Sequence, residues 1–234
     1  MKKILVCSNC NAENPFFEHN CKSCGAFLHS KIANIDLWST LWQILESPVK
    51  TAETIIQSDH KNFTVSILLF AAVKIGLSLF LISNAFMLLD DEISNTYEFI
   101  LIGGLVFTVL LFAASVLITL LNTRLGITNR IKDNISIYIY SFLPIVLTLI
   151  FLAPIEIALF GTYWFTFNPS PLIFKPFVSY IMFFIEGLFF VWSIVLLITS
   201  TYAQTNSVKY SIVIGFILTA VLSFGTFYIT KIIY

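Results

Sequence analysis

All four cysteines of the chain, Cys7, Cys10, Cys21 and Cys24, stand in one stretch with the spacing Cys-x2-Cys-x10-Cys-x2-Cys. Two Cys-x2-Cys knuckles can turn four thiolates onto one ion, and zinc takes such a set tetrahedrally. Asn11 follows the first pair and Gly25 the second; both residue types accept the left-handed backbone that a knuckle turn commonly requires. So short a segment buries too little apolar surface to fold unaided, so metal binding would supply its folding free energy. With all four positions filled by protein the site has no place for a reactive water, which makes the expected zinc structural. The alternatives are disulfides, a redox pair, or His19 or His29 replacing one cysteine. A redox Cys-x2-Cys normally sits on a βαβ scaffold, which is missing from the pattern here.

Three ionisable residues fall inside long apolar runs, where such groups are functional candidates. Lys74 lies in FAAVKIGLSL, Glu186 is ten residues into the fourth run, and Glu156 follows Pro154 towards the end of the third. Lys74 and Glu186 share a mid-run depth and invite pairing. Three readings stay open: a structural ion pair, a polar pathway for an ion or small solute, or accommodation by snorkelling or water. Asn84, Tyr138 and Tyr140 are candidates to extend the network. Enzymatic chemistry is not expected and no catalytic residue is singled out. His19, His29 and His60 all precede the first apolar run, and His-Glu-x-x-His, Gly-x-Ser-x-Gly and P-loop patterns are missing. Gly103-Gly104 reads as a close helix contact rather than a phosphate cradle.

The elements that must position these residues follow from composition. The 234 residues are 58% hydrophobic and 11% charged, with 24 Phe and a mean hydropathy of +0.90, where a soluble domain carries roughly 25% charged residues. Basic and acidic residues balance at 13 each, so no net field argues for nucleic acid. The pattern predicts an all-α polytopic membrane protein with five transmembrane helices, at about 63–89, 98–121, 136–160, 177–202 and 209–231. Pro144 and Pro154 would kink or segment the third. Residues 1–30 form the expected zinc ribbon, 31–62 an amphipathic helical connector, and 63–234 the membrane domain. The start MKKILVCSNC has only a four-residue apolar run, so no cleavable leader is expected.

Arg124, Arg130 and Lys132 in the 122–135 loop and Lys209 in the next loop on that side face Asp90-Asp91-Glu92 and the lone Lys175 on the other. The positive-inside rule places the first side and the N-terminus in the cytoplasm and the C-terminus outside. There the cysteines would stay reduced, which disfavours disulfides. In the 161–176 loop, Tyr163, Trp164, Phe165 and Phe167 read as belt aromatics of an external loop at the headgroups, with a re-entrant loop as the alternative.

In the connector, Leu37, Trp38, Leu41, Trp42 and Leu45 share a helical face behind Asp36 as N-cap. Ser47-Pro48 reads as the cap and first residue of a second helix carrying Val49, Ala52, Ile55 and Ile56 on one face. Two tryptophans on such a helix argue for lying in the membrane interface. This order resembles the Yip family, the Ypt/Rab-GTPase-interacting membrane proteins. Their Asp-Leu-Tyr-Gly-Pro-x-Trp pattern aligns with Asp36, Leu37, Trp38, Ser39, Thr40, Leu41 and Trp42, the Gly-Pro being replaced. Their Gly-Tyr-x-Leu-Leu-Pro pattern aligns with Ile139 to Pro144, matching at Tyr140, Leu143 and Pro144. The resemblance covers about residues 36–234. Eukaryotic members are implied to bind prenylated small GTPases in vesicle traffic. The ribbon in front looks like a bacterial branch, to which that binding is not carried over.

The expected function is that of a non-enzymatic scaffold or regulator of membrane organisation in a bacterial inner membrane. The ribbon would dock a cytoplasmic protein partner, the bilayer would be the other partner, and a homo-oligomer is left open. The competing expectation is a transporter or channel component using Lys74, Glu156 and Glu186.

Overall fold

The computed structural model describes residues 4–28, 34–58, 60–86 and 96–234. His29 and the acidic run at 90–92 lie outside these residues. Residues 4–28 make a small ribbon: β1 (Ile4–Val6) pairs antiparallel with β2 (Glu13–Pro15), Leu5 opposite Asn14, and an isolated bridge joins Asn20 to Phe27.

Helix α1 (Leu37–Glu46) begins at Asp36, whose carboxylate accepts from the N–H of Ser39 at 2.8 Å, satisfying one of the free donors of the first turn. Thr40 and Ile44 are buried, whereas Trp38 and Trp42 are 77% and 65% exposed. Large aromatics turned outward from a helix whose other side is packed are what an interface-lying helix presents. Helix α2 (Pro48–Gln57) starts without the expected side-chain cap from Ser47. The Ser47 carbonyl instead accepts the N–H and hydroxyl of Thr51 at 3.0 and 3.1 Å. Proline at the first position has no N–H to satisfy. Thr51, Ala52, Ile55 and Ile56 are buried, and α2 packs on α5 (Ile131–Tyr140).

Among the described residues five helices are long and apolar enough to cross a bilayer: Thr64–Ala85 (α3), Thr96–Arg124 (α4), the composite Leu143–Phe160, Pro176–Thr205 (α10) and the composite Val208–Ile233. The third departs from a single run over 136–160. Helix α5 ends at Tyr140, and α6 (Leu143–Leu147), a π-helical turn (Thr148–Leu152) and α7 (Ala153–Phe160) follow. Proline explains both interruptions: Pro144 and Pro154 cannot donate to the carbonyls of Tyr140 and Ile150, and their rings crowd the preceding turn. The fifth is likewise composite, with a π-helical turn at Val221–Gly225 between α11 (Val208–Ala220) and α12 (Thr226–Ile233).

The chain divides into two compact units. The first comprises Met1–Val65, Phe112–Ser141 and Val195–Leu218. Side-chain amides and hydroxyls knit it together. Asn134 donates to the Ser115 carbonyl at 2.7 Å and to Thr119 Oγ1 at 2.9 Å, and Gln204 donates to Asn134 at 3.0 Å. Tyr210 donates to Asn122 at 2.8 Å, and Ser141 and Ser200 meet at 3.0 Å. Such pairs act as polar glue between helices that lipid does not push together.

The second unit comprises Ser66–Leu111, Phe142–Ile194 and Thr219–Tyr234. Its core is aromatic: Phe99 meets Phe80 at 6.2 Å and Tyr234 at 5.2 Å, and Phe107 meets Phe142 edge-on at 5.0 Å. Helices α3 and α4 approach closely through glycine; a Cβ at Gly104 would lie 2.9 Å from the Ala72 carbonyl oxygen, and one at Gly76 would run into that of Ile100. The 161–176 segment folds as two short helices, α8 (Tyr163–Thr166) and α9 (Pro171–Phe174). Trp164 is not a belt residue. It is buried and stacked on Phe183 at 4.6 Å, while Tyr163 remains exposed. Gly76→Ala is expected to destabilise the protein by about 1–3 kcal/mol. Gly187→Ala, whose Cβ meets no atom within 4 Å, should leave thermal unfolding in detergent unchanged or raise its midpoint.

Candidate functional site

The two knuckles of the ribbon are built alike. Cys7 donates its N–H to the Ala12 carbonyl at 3.0 Å and accepts from Asn11 at 2.9 Å; Cys21 donates to Ala26 at 2.8 Å and accepts from Gly25 at 2.9 Å. Asn11 and Gly25 have φ of 57° and 73°, the left-handed turn that brings each pair of thiols to the same side. The sulfurs of Cys7 and Cys24 lie 3.7 Å apart and those of Cys10 and Cys21 3.5 Å, and all four lie within 4.8 Å of one another. Four thiolates at about 2.3 Å from a tetrahedral ion stand about 3.8 Å apart, so these residues fit one metal ion. Among the described residues His19 is not part of the cluster.

Asn14, which sequence reasoning did not single out, holds the two halves of the ribbon together. Its amide donates to the Ala12 carbonyl at 2.9 Å and to the Cys21 sulfur at 3.4 Å, and its oxygen accepts from the N–H of Lys22 at 3.0 Å. The backbone N–H of Cys24 is the largest influence on Cys21. With the N–H of Ser23 and the Asn14 amide it pulls that thiol down to about 6 against the opposing effect of burial. For Cys10 the N–H of Ala12 acts downward, but hydrogen bonds to Cys24 and Cys21, with burial, push the thiol up to about 12. One sulfur thus ionises readily while another keeps its proton, and a bound cation would displace that proton.

The ribbon is seated on the rest of its unit through Phe17. The Arg130 guanidinium lies 4.4 Å from the centre of that ring, pairs with Asp133 at 2.6 Å and donates to the Ile56 carbonyl at 3.1 Å. Lys61 reaches the other oxygen of Asp133 at 3.1 Å and donates to the carbonyls of Ile56 and Ser58 at 3.0 and 2.9 Å. Burial pulls the Lys61 ammonium down, and Asp133 opposes that shift.

In the second unit, Lys74 of α3 makes an ion pair with Glu186 of α10. Lys74 is 4% exposed and Glu186 21%. Glu156 on α7 is fully buried; it stands near Lys74, Glu186 and Trp164, and neither oxygen reaches hydrogen-bond geometry with a partner. One ammonium therefore faces two carboxyl groups. The residues expected to extend this network do not: Asn84 donates to the Phe165 carbonyl at 3.0 Å, Tyr138 meets Thr201 at 3.2 Å, and Tyr140 donates to the Asn62 carbonyl. Of the other family-pattern positions, Leu143 and Pro144 are buried at the start of α6, Leu37 is half-buried and Trp42 faces outward.

Comparison with family models, with curated proteins and with solved structures finds no match in any of the three.

A buried pair that is broken on one side leaves a charge uncompensated. Lys74→Met alone and Glu186→Gln alone are each expected to cost about 3–5 kcal/mol. The double variant should recover most of that loss in thermal unfolding of the detergent-solubilised protein. Phe17→Ala should leave the cysteine cluster formed but speed proteolytic cutting within residues 4–28.

Proposed function

We propose that the chain is a non-enzymatic, multi-pass membrane protein of Yip-like type that acts as a scaffold or regulator of membrane organisation, with a zinc-loaded ribbon as its docking module. The observation that carries this reading is the closed four-sulfur cluster in a module anchored by one side and exposed on the other. Phe17 is held against Arg130, while Val6 and Phe27 face outward. A filled S4 set suits zinc, and it offers no open position for chemistry on a substrate.

The same contact supports a cytoplasmic N-terminus. Arg130 belongs to the basic 122–135 loop that the positive-inside rule assigns to the cytoplasm, and the ribbon rests on that residue. A bacterial inner membrane, with the C-terminus outside, is the setting proposed. The competing reading, a transporter or channel component, needs a polar passage that includes Glu156. The space beside Lys74 and Glu186 has aromatic and aliphatic walls, and Glu156 does not line it, which favours binding over conduction.

The purified protein should carry one zinc per chain by elemental analysis. Cys21→Ser should abolish it without loss of membrane insertion. In cells of the native host, photo-crosslinkers at Val6 and Phe27 should trap one specific protein, and that adduct should vanish in the Cys21→Ser variant. An adduct pattern unchanged by that substitution would refute docking through the ribbon.

A further inference from the structure

The second unit holds a half-open cavity of about 580 Å3 beside the Lys74–Glu186 pair. That volume lies within the range of pockets for drug-sized ligands, roughly 300–1,000 Å3. Among its described lining residues nine are aromatic, including Trp164, Phe183, Phe190 and Phe227. Most of the rest are Leu and Ile. The π-helical turn at Val221–Gly225 contributes Leu222, Ser223 and Phe224 in succession; the wider turn presents more consecutive residues to one side than an α-helix does, a device common at functional sites.

The polar part of this cavity leaves room for one more positive charge. Glu186, the more exposed partner of the pair, and the nearly buried Lys74 both line it. Glu156 lies beside them, buried and without a hydrogen-bond partner. Lys74 can neutralise only one of the two carboxyl groups, so a second cation beside Glu186 would let both be compensated in surroundings where an unpaired charge costs several kcal/mol. Aromatic faces add to the preference, because their quadrupoles attract cations most strongly where water is excluded.

We propose that this cavity binds a lipophilic organic cation, a single ammonium or phosphonium centre clothed in apolar groups. The cationic centre would sit towards Glu186 among aromatic rings, and its hydrocarbon would fill the apolar walls. An acyl chain of a neighbouring lipid would use the walls but not the charge, and an anionic amphiphile would meet the carboxylate of Glu186. The inference goes beyond the proposed scaffold role and does not depend on the ribbon.

The test uses two probes of the same shape and opposite charge, tetraphenylphosphonium and tetraphenylborate, with the full-length, metal-loaded protein in detergent. Tetraphenylphosphonium should bind saturably at one per chain, and tetraphenylborate at least about tenfold more weakly. Glu156→Gln and Glu186→Gln should each weaken the cation about tenfold or more. Because Glu186→Gln also strands Lys74, Gly187→Leu serves as a second variant. Gly187 lines the cavity and a Cβ there meets nothing within 4 Å, so Leu should keep the unfolding temperature while abolishing saturable binding. Four results would overturn the proposal: equal binding of the two ions, no saturable binding of the cation, wild-type affinity in folded Gly187→Leu or Glu156→Gln, or a co-purified phospholipid that the cation fails to displace.

Discussion

The carboxylate of Asp133, buried at the start of α5, is paired with two cations that reach it from separate stretches of the chain, Lys61 from the connector and Arg130 from the loop before α5. Neither cation is committed to Asp133 alone. Lys61 also gathers the free carbonyls at the end of α2, where the helix dipole favours a positive charge. Arg130 also holds Ile56 and lies against Phe17 of the ribbon. A buried carboxylate is tolerable only with such compensation, so one residue ties ribbon, connector and the base of a helix into a single arrangement.

The second unit meets the same constraint with less polar material. Its aromatic core offers few hydrogen-bond partners, and among the described residues the charge of Lys74 is balanced at close range by Glu186 alone. Glu156 is left with neighbours but no bond. The helices themselves are interrupted where proline or a π-helical turn intervenes, at Ser141–Phe142, Thr148–Leu152 and Val221–Gly225. Backbone groups in such places must find suitable partners in a low-dielectric interior; the Ile145 carbonyl, for instance, accepts both the N–H of Thr148 and its hydroxyl, the latter at 2.9 Å.

What could be read in the sequence was whatever a short local pattern encodes. Five apolar runs, the knuckle spacing of Cys7, Cys10, Cys21 and Cys24, and the capping of α1 by Asp36 are all of that kind. The residues missed depend on contacts distant in sequence. Trp164 reads as a belt aromatic because tryptophan near the end of an apolar run usually is one; only its stacking on Phe183 shows it to be interior. Tyr138 and Tyr140 read as companions of Lys74, yet their hydroxyls go to Thr201 and Asn62. Asn14 carries no signal beyond its place between the cysteine pairs, since its work lies in three bonds that exist only once the ribbon is closed. The π-helical turn at Val221–Gly225 has no proline to announce it.

The seat of Phe17 on Arg130 also has a consequence for the order of events during synthesis. The bonds that shape residues 4–28 are local, so the ribbon can close as soon as it leaves the ribosome. Its aromatic anchor finds a partner only after more than a hundred further residues, at roughly 5–20 residues per second. For roughly ten seconds the module would therefore exist as a folded but undocked head on a chain still entering the membrane. Its final position then reports that the stretch carrying Arg130 has arrived on the same side.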